Sequence, residues 1–345
     1  MGEEGQESRN GFVRKLIRLL GKQEVGIFII FIVLCIVITI AAPRFARPQN
    51  MINIMRQVSN VGIMAVGQAM VIIVAGIDLS VGSVLALSAC VVATLAKVMN
   101  PWLAMVVALA AGSAVGVLNG LLVVKIGIAP FIATLGVQMM SRGLAFLVTS
   151  GIPVKFSYPD SVGFLGGGAF RVDTVSIPMS IVIMLVVYAI GIVLLNKTVF
   201  GRNLYAVGDN ERSAKLSGIH SDRVKIAAYV ISGTLAALSG VLSAGNLTSA
   251  EAAAGDGIES NVIAAVVIGG VSMSGGEGSV VGILIGAAIM GVIRNAFILL
   301  NFKATWQTIT IGFLIVLAVG LDCVTKKYKA NKVSAAFNMK GGSAL

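Results

Sequence analysis

Charge is scarce in this chain of 345 residues: 12% are Asp, Glu, Lys or Arg, against about 25% in an ordinary soluble domain. Runs such as Val25–Ile40, Met179–Leu195 and Ile309–Val319 carry none at all. That shortage excludes a water-soluble globule. Aromatics make up only 6%, which argues against a tight site that stacks rings on a sugar. The single histidine, His220, sits in a basic loop and reads as a solvated surface residue. Cys35, Cys90 and Cys323 lie far apart, in or beside apolar segments, so neither a disulfide framework nor a zinc spacing is available. No G-x-x-x-x-G-K-[ST] phosphate loop occurs, and Gly276-Glu277-Gly278 lies between apolar runs instead of following a soluble strand. No nucleophile–base pair is readable, and no two carboxylates share an apolar run. The chain is expected to be no enzyme, to bind no metal or cofactor, and to hydrolyse no ATP itself.

What is present is hydrophobicity: 57% of residues, with a mean hydropathy of +0.95. A bilayer core about 30 Å thick needs roughly 20 apolar residues per helix. The apolar runs predict an all-α polytopic integral membrane protein of about ten spans, near 25–43, 58–76, 81–97, 101–124, 129–150, 177–196, 225–245, 260–273, 279–300 and 305–321. Residues 49–57 read as a short interfacial helix. The first run is longer than the 7–15 residues of a signal-peptide core and is read as a retained span.

Charge placement sets the expected orientation. With both termini cytoplasmic, inner segments hold seventeen Lys and Arg and outer loops seven, the bias that the positive-inside rule describes. The predicted layout is a cytoplasmic tail 1–24, a permease domain 25–322 with an outer loop 151–176 and an inner loop 197–225, and a cytoplasmic tail 323–345. The net charge of +11 is explained this way, without nucleic acid, because no basic stripe is interleaved with aromatics. The outer loop, with Pro153, Pro159 and Gly166–Gly168, is either a plain connection or a docking surface.

Glycine is abundant, at 41 residues. In lipid, small residues let helix backbones approach closely. The spacing Gly112-x-x-x-Gly116-x-x-x-Gly120, and again Gly282 and Gly286, marks helix contacts within one subunit or between two. A weak internal repeat pairs Val71–Gly82 with Val266–Gly278, Gly116–Asn119 with Gly291–Arg294, and Phe131–Gly136 with Gln307–Gly312. Such repeats with broken helices mark substrate routes in transporters.

Charged relays of the kind that ion-driven carriers use inside the bundle are few: Asp78, Arg142 and Arg294. An ion-coupled carrier or channel is the alternative reading, but uphill movement without such relays points to energy from another subunit. The inner loop offers a place to receive it. Asp209 is placed as an N-cap, Glu211 in the first turn, and Gly218 as the closing residue of a two-turn helix. Glu211 and Lys215 form an i, i+4 pair. Ser213, Ala214 and Ser217 are small enough to enter a groove. Polar residues inside apolar runs, Gln68, Asn119, Gln138, Asn246, Asn261, Asn295 and Gln307, either line a path for a neutral polyhydroxylated solute or bond across helices.

The segment Ala206–Ile219, with Gly208, Asp209, Asn210, Glu211, Arg212, Ser213, Ala214, Lys215, Ser217 and Gly218, resembles the coupling segment of ribose/galactose-type ATP-binding-cassette permeases. Gly76-Ile-Asp78-Leu-Ser80-Val-Gly82-Ser83 resembles that family's other hallmark, and Ile263–Gly270 and Gly278–Gly282 continue the match in order over roughly residues 50–320. The pattern departs at Asp209, where relatives often have glycine. The resemblance implies a homodimeric permease in a bacterial inner membrane, surrounded by lipid. An ATP-binding-cassette ATPase would dock on residues 208–218, and an extracytoplasmic solute-binding protein would sit above. Asp78 is expected to cap the half-helix that follows it.

Overall fold

A computed structural model describes residues 23–158, 160–172 and 175–341, with side chains assigned through Tyr328 except those of Gln23, Val172 and Val175. Most of the predicted amino-terminal tail, including Arg9, Arg14, Lys15, Arg18 and Lys22, lies outside the described residues, as does Pro159.

The chain is a helix bundle. Its first helix, α1 (Gln23–Ala41), leads through a 3-10 turn to α2 (Pro48–Ile73). Proline at the first position of α2 fits because its missing N–H would have no partner there anyway. No breaker separates 57 from 58, so the expected interfacial helix is instead the first two turns of α2, with Ile54 and Val58 buried. A connector, Val74–Ser80, precedes α3 (Val81–Leu95). Helix α4 (Pro101–Leu121) begins on the Asn100 side chain, which accepts from the Trp102 N–H at 2.9 Å, and winds out through a π-turn at Leu122–Ile126. Helix α5 (Pro130–Thr149) follows.

The predicted outer loop is partly ordered: strand β1 (Val154–Lys155), α6 (Val162–Gly167), and an antiparallel hairpin of β2 (Ala169–Val172) and β3 (Val175–Pro178). Then come α7 (Met179–Lys197), α8 (Val199–Asp209), α9 (Glu211–Leu216) and α10 (Ser221–Leu247). Strand β4 (Ser249–Ala250) pairs antiparallel with β1. Helix α11 (Ile258–Ile268), α12 (Val280–Leu299) and α13 (Ala304–Gly341) complete the fold. The last predicted span and the following tail as far as Gly341 are one helix.

Among the described residues, seven helices are long and apolar enough to cross a membrane: α1, α4 with its π-turn, α5, α7, α10, α12 and α13. Helix α2 is as long but less apolar. The remaining two expected spans are corrected. Helices α3 and α11, at 15 and 11 residues, are roughly 22 and 17 Å long at about 1.5 Å per residue, short of a 30 Å core. Gly257 and Gly270 in left-handed conformation bracket α11, and the Asp78 turn starts α3, so both are half-helices.

Burial is inverted relative to a soluble protein. The outer faces of α1, α5, α7 and α13 expose Phe28, Ile40, Leu147, Ile190 and Val316, as lipid contact requires. The interior is built from α2, α3, α10, α11 and α12, with Met64, Met70, Val84, Ala237, Val266 and Ile283 buried. Close backbone contact holds it together. A methyl at Gly116 would meet the Val230 Cα at 2.8 Å, and one at Gly120 the Ile226 Cα at 2.9 Å. At Gly112 it would lie 2.6 Å from the Gly233 carbonyl oxygen. All three seat α4 on α10, while Gly282 and Gly286 seat α12 on α11. These contacts lie within one subunit.

Two sets of four helices, α2–α5 and α10–α13, pack in the same pattern. Helix α10 lies on α3 and α4, and α2 lies on α11 and α12. Within the sets, α3 touches α4 and α5, as α11 touches α12 and α13. Gly116 and Gly291 fall on equivalent helices, and so do Phe131–Gly136 and Gln307–Gly312. The pairing of Val71–Gly82 with Val266–Gly278 does not: the first joins α2 to α3, the second joins α11 to α12. Apolar sequence broken by Gly and Ser looks alike in both places.

Candidate translocation site and coupling surface

The connector Val74–Ser80 is organised by Asp78, which is fully buried. Its Oδ1 accepts from the Ser80 N–H at 2.9 Å and the Ser80 hydroxyl at 2.6 Å, and its Oδ2 accepts from the Ser232 hydroxyl at 2.8 Å. Asn119 donates to Ser80 Oγ at 2.8 Å and lies 3.4 Å from Asp78 Oδ1. Gln68, oriented so that both amide atoms are satisfied, donates to the Asp78 carbonyl at 3.0 Å and accepts from the Asp78 N–H at 3.2 Å. A methyl at Gly76 would sit 2.7 Å from the Tyr229 hydroxyl oxygen. Three expectations change here. Ser80, not Asp78, is the N-cap of α3; the Asp78 carboxylate closes an Asx turn onto the residue two positions on. Gln68 and Asn119 are bound into this buried network and are not on a solute path.

Just beyond, the N-termini of the two half-helices touch. A methyl at Gly82 would lie 2.5 Å from the Gly255 carbonyl oxygen and 2.6 Å from Glu259 Oε2, and one at Gly255 would lie 3.0 Å from the Gly82 oxygen. Gly255 and Gly257 have φ of +67° and +74°, the left-handed region that glycine enters without strain. Half-helix N-termini meeting inside a bundle form substrate sites in transporters, because free N–H groups point at the junction.

Two cavities adjoin this junction. The larger, about 610 Å³, lies between α11, α12 and α13 and is lined by Asp256, Ser260, Asn261, Arg294, Gln307 and Thr308 together with apolar side chains. The smaller, about 300 Å³, lies between α5 and the α10–α11 connector, against Leu135, Gln138, Met139, Arg142 and Asp256. Of the expected path residues, Asn261, Gln307 and Gln138 therefore face open space. Asn295 does not: it exchanges two hydrogen bonds with Asn50, at 3.0 and 2.9 Å, locking α12 to α2. Asn246 sits at the end of α10 against Gly166 and Gly167 of α6, away from both cavities. Asp256, Arg142 and Glu259 were not among the expected path residues; a glycine-flanked acid just ahead of an apolar half-helix was the available signal.

The other candidate surface lies at the far end of α10, whose 27 residues run about 40 Å at about 1.5 Å each. One end meets β1–β4 and the other meets α9. The cap of α9 is Asn210, whose Oδ1 accepts from the Ser213 N–H at 2.9 Å. Asp209 is instead the last residue of α8, a helix begun by Thr198 accepting from the Gly201 N–H at 3.2 Å. The chain ends α9 at Gly218, φ +83°, with the Ile219 N–H bonded to the Ala214 carbonyl at 3.0 Å and the Gly218 N–H to the Lys215 carbonyl at 3.1 Å, a Schellman closure.

Ion pairs brace the helix. Glu211 binds Lys225 at 2.6 Å and Lys215 at 3.0 Å; Asp222 binds Lys125 at 3.1 Å and lies 3.8 Å from Lys215. The Lys225 hydrogen bond, joined by Lys215, holds the Glu211 carboxyl below its ordinary range, and Glu211 in turn raises Lys215. Ala214 is buried against the protein's own bundle and cannot enter a partner's groove, which corrects the expected docking face. The outward residues are Arg212, Ser213, Ser217 and above all Leu216, 83% exposed.

Behind α9 the contact is again backbone on backbone. Gly208 lies against the Ile73 carbonyl, and Gly276 donates to the same oxygen at 2.9 Å. A methyl at Gly276 would meet the Asp209 Cα at 2.9 Å, and the Tyr205 hydroxyl donates to the Gly278 carbonyl at 2.9 Å. The end of α8 thus touches both the α2–α3 and the α11–α12 connectors.

Residues 50–319 match the family described as branched-chain amino acid transport system / permease component. The chain is 41% identical over 303 residues to the ribose import permease protein of Bacillus subtilis (strain 168), covering 87% of this chain and 92% of that one. It is 37% identical over 303 residues to the D-allose transport system permease protein of Escherichia coli (strain K12), covering 87% and 91%. With the fructose import permease protein of Rhizobium meliloti it shares 34% over 325 residues, covering 92% and 90%. No solved structure matches the chain. A bundle of lipid-facing helices with paired half-helices at its centre, matched along most of its length by import permeases, belongs to the family of branched-chain amino acid transport system / permease components.

Proposed function

We propose that the chain is the membrane-spanning subunit of an ATP-driven importer that passes a monosaccharide, or a similar neutral polyhydroxylated solute, from an extracytoplasmic binding protein into a bacterial cytoplasm. The observation that carries this is the full-length similarity to permeases named for ribose, allose and fructose, each over at least 90% of the relative's length. The family description names amino acids, but these relatives name sugars. The chain itself is non-catalytic; ATP is hydrolysed by a partner ATPase subunit.

The α9 end, with Lys125, Lys215 and Lys225, is the cytoplasmic face by the positive-inside rule, and both tails lie on that face. A second copy completes the pore, and lipid surrounds the pair. The ATPase docks on α9, braced from behind by its ion pairs, with Leu216 entering the partner's surface. Movement of α9 passes through Gly208 to Ile73 and Gly276, and so to the connectors that precede α3 and follow α11. Because the two half-helices touch at Gly82 and Gly255, displacement of either connector alters the junction beside the outer cavities. Solute released by the binding protein enters along Asn261 and Gln307, whose amides both donate and accept hydrogen bonds.

The test is reconstitution. The tagged permease, purified in mild detergent, is expected to bring down an ATP-binding subunit whose activity rises with a sugar-loaded binding protein. Uptake that needs no ATPase and stops on adding an ionophore would establish an ion-coupled carrier instead.

A further inference from the structure

We infer that the smaller cavity, between α5 and the α10–α11 connector, is a subsite that reads hydroxyl groups of the passing solute. Its contacts are Gln138, Arg142 and Asp256, and Glu259 positions Gln138. The inference rests on the sugar-import reading above.

Arg142 lies within α5, about 18 Å from one end and about 10 Å from the other at about 1.5 Å per residue. A charge at such depth is costly and marks a functional position. One of its nitrogens, Nη1, donates to the carbonyls of Ala252 and Ala254, both at 2.6 Å, which fixes the connector against α5. That clamp explains half of the guanidinium only. Nη2 is buried with no partner among the described residues.

On α11, Glu259 holds Gln138 in place. Its Oε1 accepts from Gln138 Nε2 at 3.4 Å, and its Oε2, buried against Gly82, has no donor among the described residues. A buried polar atom left unpaired is destabilising, and here a donor-only group on α5 stands without a partner among the described residues beside a cavity that also presents the Asp256 carboxylate. A hydroxyl is the group that both accepts and donates, so neighbouring hydroxyls on one ring answer the Arg142 donor and the Asp256 carboxylate together. Gln138, which itself does both, stands on the same cavity wall. Asp256 lines this cavity and the larger one, so a solute passing from one to the other keeps a carboxylate partner. The permease therefore contributes to selectivity and is not a featureless passage behind a selective binding protein.

The experiment is uptake into proteoliposomes holding permease, ATPase and binding protein, with D-ribose, D-allose, D-fructose and single-deoxy analogues of each as probes, alongside ATPase rates. Using one binding protein throughout cancels its own selectivity when variants are compared. For the sugar carried, Gln138→Leu and Glu259→Gln are expected to reduce the preference for sugar over its deoxy analogue by about fivefold, the factor of one ordinary hydrogen bond. ATPase rates measured in parallel separate a change in coupling, which scales uptake of sugar and analogue alike, from a change in preference. Variants that slow sugar and deoxy analogue equally, leaving the preference intact, would show a packing role or a water site and overturn the subsite. Absence of ATP-driven uptake of all three sugars by the wild type would overturn the import reading itself, a separate result.

Discussion

Leu216 offers the sharpest test of the coupling surface. Its side chain is 83% exposed on a two-turn helix, so the isolated permease gains almost nothing from it. Leu216→Ala should change the permease's own stability by less than about 0.5 kcal/mol, as surface substitutions do. If the side chain is buried on docking, three carbons at about 0.8 kcal/mol each give a loss of about 2 kcal/mol per site, or about 30-fold in affinity for the ATPase subunit. Two copies in a dimer would double that loss. The assay is titration of ATPase subunit onto permease in nanodiscs, with thermal unfolding of the permease alone as control. Wild-type affinity in the variant would refute the docking geometry, and a large drop in permease stability would show that Leu216 packs within the bundle.

Four further outcomes are expected. Gly116→Leu should abolish a monodisperse product in size-exclusion chromatography, because its Cβ alone would press the Val230 Cα at 2.8 Å, whereas Gly136→Leu, with nothing within 4 Å, should purify normally; equal yields would refute the α4–α10 seam. Asn210→Ala should cost about 1 kcal/mol of α9 protection in hydrogen exchange, and Asp209→Ala should leave that protection unchanged; the reverse ranking would restore Asp209 as the cap. Gly276→Val should uncouple ATP hydrolysis from uptake while the ATPase still binds; normal coupling would remove this contact from the transmission route. The folded-state pKa of Glu211 is lowered, so its contribution is complete above the ordinary carboxylate range and disappears as pH falls through the folded value; protection of α9 should therefore stay flat from pH 5 to 8 and fall only in stronger acid, and a midpoint near pH 7 would contradict the Lys225 brace.

The membrane setting and most spans were legible in the sequence because lipid imposes one demand on every helix, and uncharged runs such as Met179–Leu195 answer it without ambiguity. Gly112, Gly116 and Gly120 were legible as contacts because their spacing has one geometrical use. The half-helices were misjudged: α3 and α11 are as apolar as true spans, and only their three-dimensional neighbours reveal that they stop partway. Asp209 and Asn210 are adjacent and equally suited to capping, so the choice between them needed the end of α8, a helix that residue spacing did not announce. Among the polar residues, Gln68, Asn119 and Asn295 could not be told from Asn261 and Gln307, since an amide bonded across helices and one facing a cavity have the same local sequence. The charged residues of the junction escaped because Asp256 and Glu259 look like ordinary loop and helix-start residues until Gly82 is brought against them.

The glycine seam between α4 and α10 also sets how the bundle is able to deform. Interlocked side chains resist sliding, since each must lift from its hole before it advances. A glycine track has no knobs, so it opposes separation strongly and shear weakly; its stations, four residues apart, recur about every 6 Å. The seam is pinned at one station, where the Ser113 and Thr234 hydroxyls lie 2.7 Å apart, and the equivalent seam between α2 and α12 is pinned by the Asn50–Asn295 pair. Two halves with the same layout thus share one kind of restraint: each joint is latched at a polar pair, and along α4 the rest of the joint is a rail.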